Sequence, residues 1–233
     1  MNFLLHRYLA ARDLGSAAAG IGAMLPDLWR MADRRVRPAL GPVAKGDEAG
    51  LLGDVLAGIE HHLAGDRWFH AAAPFLDGER LTAERLGDAQ LEAPKIGLFA
   101  HVAWELCLDG ALIRREGLGA TLSALRRGFA AVRGEPASAA AALHHFDRVG
   151  RGPGEQAAFD TALYRLFEEI ARGPWIGGYQ SGRGVAHRVD GLRGRLGFPR
   201  LSGADRERLG TALERLSPEA DLKLLAILST RRA

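Results

Sequence analysis

Ile96-Gly-Leu-Phe-Ala-His101-Val-Ala-Trp-Glu105-Leu-Cys-Leu-Asp109-Gly-Ala-Leu-Ile113 is the stretch that decides the fold. Apart from His101, Glu105 and Asp109, every residue in it is apolar or glycine, so a helix here is hydrophobic on all sides and belongs inside a domain. The three polar residues recur at i, i+4 and i+8. Each step is about 400° of rotation and ~6 Å of rise, which sets them in one slanting stripe. Titratable groups on such a segment make it a costly lipid-facing span. The stripe is therefore expected in a protein core, where an isolated carboxylate requires an ion pair, a hydrogen-bond network or a metal. No Lys or Arg shares the stripe before Arg114.

The same spacing occurs upstream. In Val55-Leu-Ala-Gly-Ile-Glu-His-His62-Leu-Ala-Gly-Asp66-Arg-Trp-Phe-His70, the positions His62, Asp66 and His70 again fall at i, i+4 and i+8. Two such trios arise together by accident on the order of once in a hundred chains of this composition. A metal takes two ligands from a stripe of this kind. The single cysteine, Cys107, excludes disulfides and thiolate metal sites. Any ion must be held by imidazole and carboxylate.

Outward from these ladders the chain reads as all-α. Alanine, leucine, arginine and glutamate dominate, β-branched residues are sparse, and no segment alternates apolar and polar residues as a strand does. Helices are expected over Asn2 to Ala11, Ser16 to Leu25, Gly50 to Ala73, Thr82 to Ala89, Pro94 to Glu116, Leu118 to Val132, Pro136 to Val149, Glu155 to Ala171, Gly184 to Gly197, Ser202 to Leu216 and Pro218 to Thr230. Ser202 with Asp205, and Ser217 with Pro218, read as helix starts. Two glycine- and proline-bearing stretches, Arg34 to Asp47 and Arg172 to Gly184, read as ordered loops, the second around Trp175 and Tyr179. No domain boundary is evident, and residues 1–233 are expected to form one domain.

A chain of 233 residues with 47% hydrophobic and 25% charged residues is neither disordered nor a solenoid. The net charge of +3 comes almost wholly from arginine, since only Lys45, Lys95 and Lys223 are lysines. No arginine block with interleaved aromatics points to nucleic acid. The segment Met1 to Ala10 carries His6 and Arg7 and does not read as a signal peptide. The expectation is a cytoplasmic protein without a membrane span.

Two further residues are metal-capable. His6 lies on the apolar face of Asn2-Phe-Leu-Leu-His-Arg-Tyr-Leu-Ala, and Asp27 closes the glycine- and alanine-rich run from Ala17. Taken singly, the first reads as a core histidine and the second as a helix cap. His144, His145 and Asp147 share an alanine-rich helix, and His187 lies between Arg183 and Arg188; these carry a weaker functional signal. Trp68 and Trp104 read as core.

Together these motifs resemble the bacterial acyl carrier protein phosphodiesterases. That family opens with Met-Asn-Phe-Leu-x-His, matched by Met1 to His6. A glycine-rich segment ending in aspartate follows, matched by Gly20-Ile-Gly-Ala-Met-Leu-Pro-Asp27. Gly-Ile-x-x-His-x-x-x-Asp is matched by Gly58 to Asp66, and Asp-x-x-Trp-Asp-His-Phe-Leu falls on His101 to Leu108. In the last motif His101 and Glu105 stand where the family has aspartate, and Leu106 where it has histidine. The C-terminal third aligns through Trp175, Tyr179 and Phe198 to Leu201.

The resemblance implies an HD-domain-like helical fold holding a divalent metal, usually manganese, and removal of 4′-phosphopantetheine from acyl carrier protein by phosphodiester hydrolysis. It assigns His6, Asp27, His62, Asp66, His101 and Glu105 to the metal, with His70 as a further candidate. The ligand set is mixed, so zinc or iron are alternatives to manganese. Asp27, Asp66 and Asp109 are the candidate catalytic carboxylates, and Arg67 and Arg114 the candidate substrate-binding arginines. The expected partner is acyl carrier protein or a small phosphodiester. The His-x3-Asp-x3-His and His-x3-Glu spacings are also similar to those of zinc-dependent phospholipase C and related single-strand nucleases. A degenerate metal-binding or interaction module is the reading of another class.

Overall fold

A computed structural model describes residues 3–41, 50–89 and 96–230. Met1 and Asn2, part of the Arg34 to Asp47 stretch and the start of the Pro94 to Glu116 helix lie outside the described residues. Within them the all-helical expectation is met, with no strand. In chain order the helices are α1 (Phe3–Leu14), α2 (Ala17–Gly22), α3 (Leu25–Ala32), α4 (Leu51–Ala71), α5 (Ala73–Asp88), α6 (Ile96–Glu116), α7 (Leu118–Val132) and α8 (Glu135–Ala141). A π-helical turn (Ala142–Phe146) runs into α9 (Asp147–Val149) and α10 (Pro153–Arg172). They are followed by α11 (Pro174–Gly177), a 3-10 turn (Gly178–Gln180), α12 (Gly182–Arg195), α13 (Gly203–Glu214) and α14 (Ser217–Thr230).

Three boundaries differ from the sequence reading, and proline explains two. Pro26 and Pro74 each sit in the first turn of a new helix, where the missing N–H costs nothing. The chain therefore forms α3 beyond Leu25 and begins α5 at Ala73, well before Thr82. The Arg172 to Gly184 stretch is not a loop throughout; it holds α11 and the 3-10 turn. The expected start at Ser202 is present, its hydroxyl oxygen accepting from the Asp205 N–H at 3.1 Å.

Chain contacts divide the protein into two units, Phe3–Arg67 with Gly119–Gly173, and Trp68–Leu118 with the segment from Pro174 onward. The units interleave along the chain. One crossing falls inside α4, where no proline, glycine cluster or linker can mark it. The first unit packs Phe3, Leu4, Ile21, Met24, Trp29, Val55 and Ile59 as core. Phe129 stacks on Phe167 with centroids 4.3 Å apart. In the second unit α6 is the central element: from Phe99 to Ile113 every residue but His101 is buried. Two of the three stripe residues foreseen on α6 are thus in the core, Glu105 at 3% and Asp109 at 0% exposed, whereas His101 is half-buried. No helix among the described residues is long and apolar enough to cross a membrane.

Candidate metal centres

The first candidate group lies in the first unit and joins α1 to α4. Glycines set the approach. A Cβ at Gly58 would stand 2.0 Å from the Ala19 carbonyl oxygen, and one at Gly22 would stand 2.2 Å from that of Val55, so α2 and α4 touch backbone to backbone only without side chains. That contact places the Ala23 carbonyl 2.8 Å from His62 Nδ1, which donates to it. The bond fixes the tautomer and leaves Nε2 as a ligand atom. Burial, with the nearby His6 ring, lowers the His62 pKa to about 4, so the imidazole is neutral at pH 7. The His6 and His62 rings lie 4.1 Å apart, and His6 Nε2 lies 3.7 Å from Asp66 Oδ1. One ligand atom from each of His6, His62 and Asp66 falls within 4.8 Å of the others.

The second group lies in the second unit and unites His70, His101 and Glu105 under the same distance limit. Gly78 lets α5 press against α6, since a Cβ there would stand 2.0 Å from the Trp104 ring. Phe75 of α5 packs against both imidazoles, 4.8 Å from His70 and 5.3 Å from His101. Glu105 Oε1 accepts from His70 Nε2 at 3.3 Å and lies 3.5 Å from His101 Nε2. Burial pushes the Glu105 carboxyl up, yet nearby positive charge, followed by hydrogen bonds from His101 and His70, holds it well below the usual carboxylate range. The His101 pKa is raised, first by its bond to Glu105. On its other side, His101 Nδ1 donates to Glu79 Oε1 at 3.2 Å.

Glu79 is the residue that sequence reasoning missed. A carboxylate on the far nitrogen of a ligating histidine orients the ring and raises its basicity. Its signal was obscured because residues 74–81 were not expected to be helical.

The remaining sequence candidates separate. Asp27, half-buried in the first turn of α3, acts on the charge of His62 but is outside the close trio. Asp109 lies one turn beyond Glu105, fully buried, with its charge acting on Tyr179. Arg67 is exposed. Arg114 is engaged structurally, donating to Asp221 at 2.7 Å and to the carbonyls of Gln180 and Ser217. Leu106 is a core residue, 1% exposed, as is Trp104. His144 and His145 are buried in the π-helical turn of the first unit, and His187 is exposed.

No protein-family model, curated protein sequence or solved structure matches the chain. The site must be read from its own chemistry.

Proposed function

We propose that the chain is a divalent-metal-dependent phosphodiester hydrolase, HD-domain-like and related to the acyl carrier protein phosphodiesterases. The supporting observation is that two groups each bring imidazole and carboxylate ligand atoms within 4.8 Å of one another. The donor chemistry fits a cation. His62 presents a neutral nitrogen with its other nitrogen bonded to a carbonyl, and His101 is backed by a carboxylate. Manganese is the proposed ion, with zinc or iron as alternatives for so mixed a set. A cation held there supplies positive charge beside a phosphoryl oxygen and lowers the pKa of water.

The chain's own groups do the rest. Asp66, with its side chain 44% exposed, is the member of the first group open to solvent, and it takes the proton of the attacking water. Asp27, outside the trio, adds negative charge that acts on His62. His70 and His101 help to keep Glu105 ionised inside the second group. The substrate is the phosphodiester that links 4′-phosphopantetheine to a carrier protein, or a small diester of the same chemistry.

Hydrolysis of bis(p-nitrophenyl) phosphate by manganese-loaded protein tests the proposal. Asp66→Ala should retain the fold and lose at least about a hundredfold in kcat. Absence of hydrolysis by the loaded native protein contradicts it.

A second reading, a binding module with a buried polar network, draws support from the hydrogen bond that already satisfies Glu105. It predicts stability without metal and no hydrolysis.

A further inference from the structure

Helix α8, the π-helical turn Ala142–Phe146 and α9 follow one another without a break, and neither metal group uses them. Turns of this kind are rare and recur at functional sites. This one carries two consecutive imidazoles in the core of the first unit, His144 at 4% and His145 at 6% exposed. Successive residues on a helix point about 100° apart, so the two rings meet different neighbours. His144 tilts against Trp29 of α3, with ring centres 5.7 Å apart. His145 meets the backbone just beyond α3, where its Nδ1 accepts from the Arg37 N–H at 3.2 Å.

The segment held by that bond is folded on itself. Asp33 Oδ1 accepts from the Arg35 N–H at 2.8 Å, and the Asp33 carbonyl accepts from the Val36 N–H at 3.0 Å. The Arg37 guanidinium donates to the Val36 carbonyl at 3.0 Å, and the Val36 side chain is fully buried. The bond from Arg37 to His145 ties this turn to the π-helical one.

An N–H donor at Nδ1 sets the protonation state of the ring. Nδ1 must keep its lone pair, so the proton of the neutral imidazole is on Nε2. An imidazolium has two donors and no acceptor. Protonation therefore sets one donor against another, and no flip of the ring restores the bond. The charges that face His145 do not offset this. Arg151 and Arg37 oppose a further cation, and the carboxylate of Asp33, which favours one, is engaged by Arg35 at 2.8 Å. Burial, followed by Arg151, lowers the His145 pKa. Around His144, burial and then Arg148 keep the ring neutral against the pull of Glu60 on α4.

We propose that the contact between His145 and the Arg37 N–H is an acid-released latch, closed while the imidazole is neutral and opened by its protonation, which frees residues 33–37 from the π-helical turn while the rest of the first unit stays folded. The latch stands apart from both metal groups and does not rest on the hydrolase reading. The sign follows from the tautomer: the closed form resists the proton that the released imidazole accepts. The latch is thus fully closed above about pH 6.5 and weakens as pH falls below it.

Nuclear magnetic resonance of the isotope-labelled full chain, with chelator present and pH lowered from about 7.5 to about 5, tests the latch across the imidazole range. At the upper end His145 should carry its proton on Nε2 and none on Nδ1. Below about pH 6.5 the protection of the Arg37 amide against hydrogen exchange should fall by about tenfold per pH unit. The amide signal of Leu163, in the core of α10, should stay at its native position. His145→Gln offers a carbonyl oxygen that accepts without titrating, so Arg37 should stay protected throughout. His144→Leu should keep the loss of protection seen in the native chain. If His145→Gln does not fold, the native chain decides by itself, because the His145 ring must then titrate below about pH 6.5. Constant Arg37 protection across the range, a proton on Nδ1 at neutral pH, undiminished pH dependence in His145→Gln, or loss of the native Leu163 signal together with that of Arg37 overturns the proposal.

Discussion

His70 Nε2 and Glu105 Oε1 lie 3.3 Å apart, so the end of α4 and the middle of α6 are joined by an imidazole–carboxylate hydrogen bond across 35 positions of sequence. The buried carboxylate of α6 meets imidazoles, and its own stripe carries no basic side chain before Arg114. Imidazoles exchange a proton for a metal ion near neutral pH, which arginine and lysine do not. The same pair of groups is therefore suited to a metal-free network and to the proposed ligand set.

Removing the charge at the centre of that network should be felt even without metal. Glu105→Gln, unfolded by urea in the presence of chelator, is expected to lose about 1–3 kcal/mol, the usual cost of weakening a buried charge-assisted hydrogen bond. Unchanged stability would mean that the imidazoles do not support the carboxylate.

Glu79 touches His101 and acts on a metal only through it. Glu79→Gln should lower the affinity of the second group for manganese or zinc by about 10–100-fold. Equilibrium dialysis against the metal, with the melting temperature in chelator as a control, separates this from general destabilisation. An unchanged affinity removes Glu79 from the site.

The glycine crossing of α2 and α4 is a backbone contact that no rotamer can relieve. Gly58→Ala should destabilise the protein by about 1–3 kcal/mol, as overpacking does. The matched change Gly87→Ala, on α5 with nothing within 4 Å of the added carbon, should be neutral or stabilising. Chemical denaturation of both variants checks the contrast.

His144, 4% exposed and tilted against Trp29, is held neutral by burial, with Arg148 adding to the effect, and its pKa falls to about 4. A folded-state pKa below that of the unfolded chain means that the unfolded chain takes up the proton first as pH falls. The stability that this histidine leaves intact above about pH 6.5 is lost progressively toward pH 4, by about 1.4 kcal/mol per pH unit. His144→Leu should unfold with a shallower pH dependence across that window. Parallel curves for variant and native protein would contradict the assignment.

What the sequence made legible follows from how each signal is carried. The α6 stripe stood out because Glu105 and Asp109 sit among residues that have no other reason to be polar. Glycines did not disclose their contacts: Gly58 and Gly78 each admit a neighbour whose identity is set by tertiary packing. Pro26 and Pro74 read as breaks, whereas each opens a new helix, and Glu79 was hidden with the start of α5. The division into two units was invisible because one crossing lies within α4.

The central claim is that these imidazole and carboxylate groups hold divalent metal. Metal analysis of protein purified without chelator, paired with melting curves before and after added manganese or zinc, tests it most directly. The account predicts bound transition metal, a higher melting temperature on metal addition, and loss of both in a variant combining His62→Ala with Glu105→Gln. Protein free of transition metal, with a melting temperature indifferent to manganese and zinc, would contradict it.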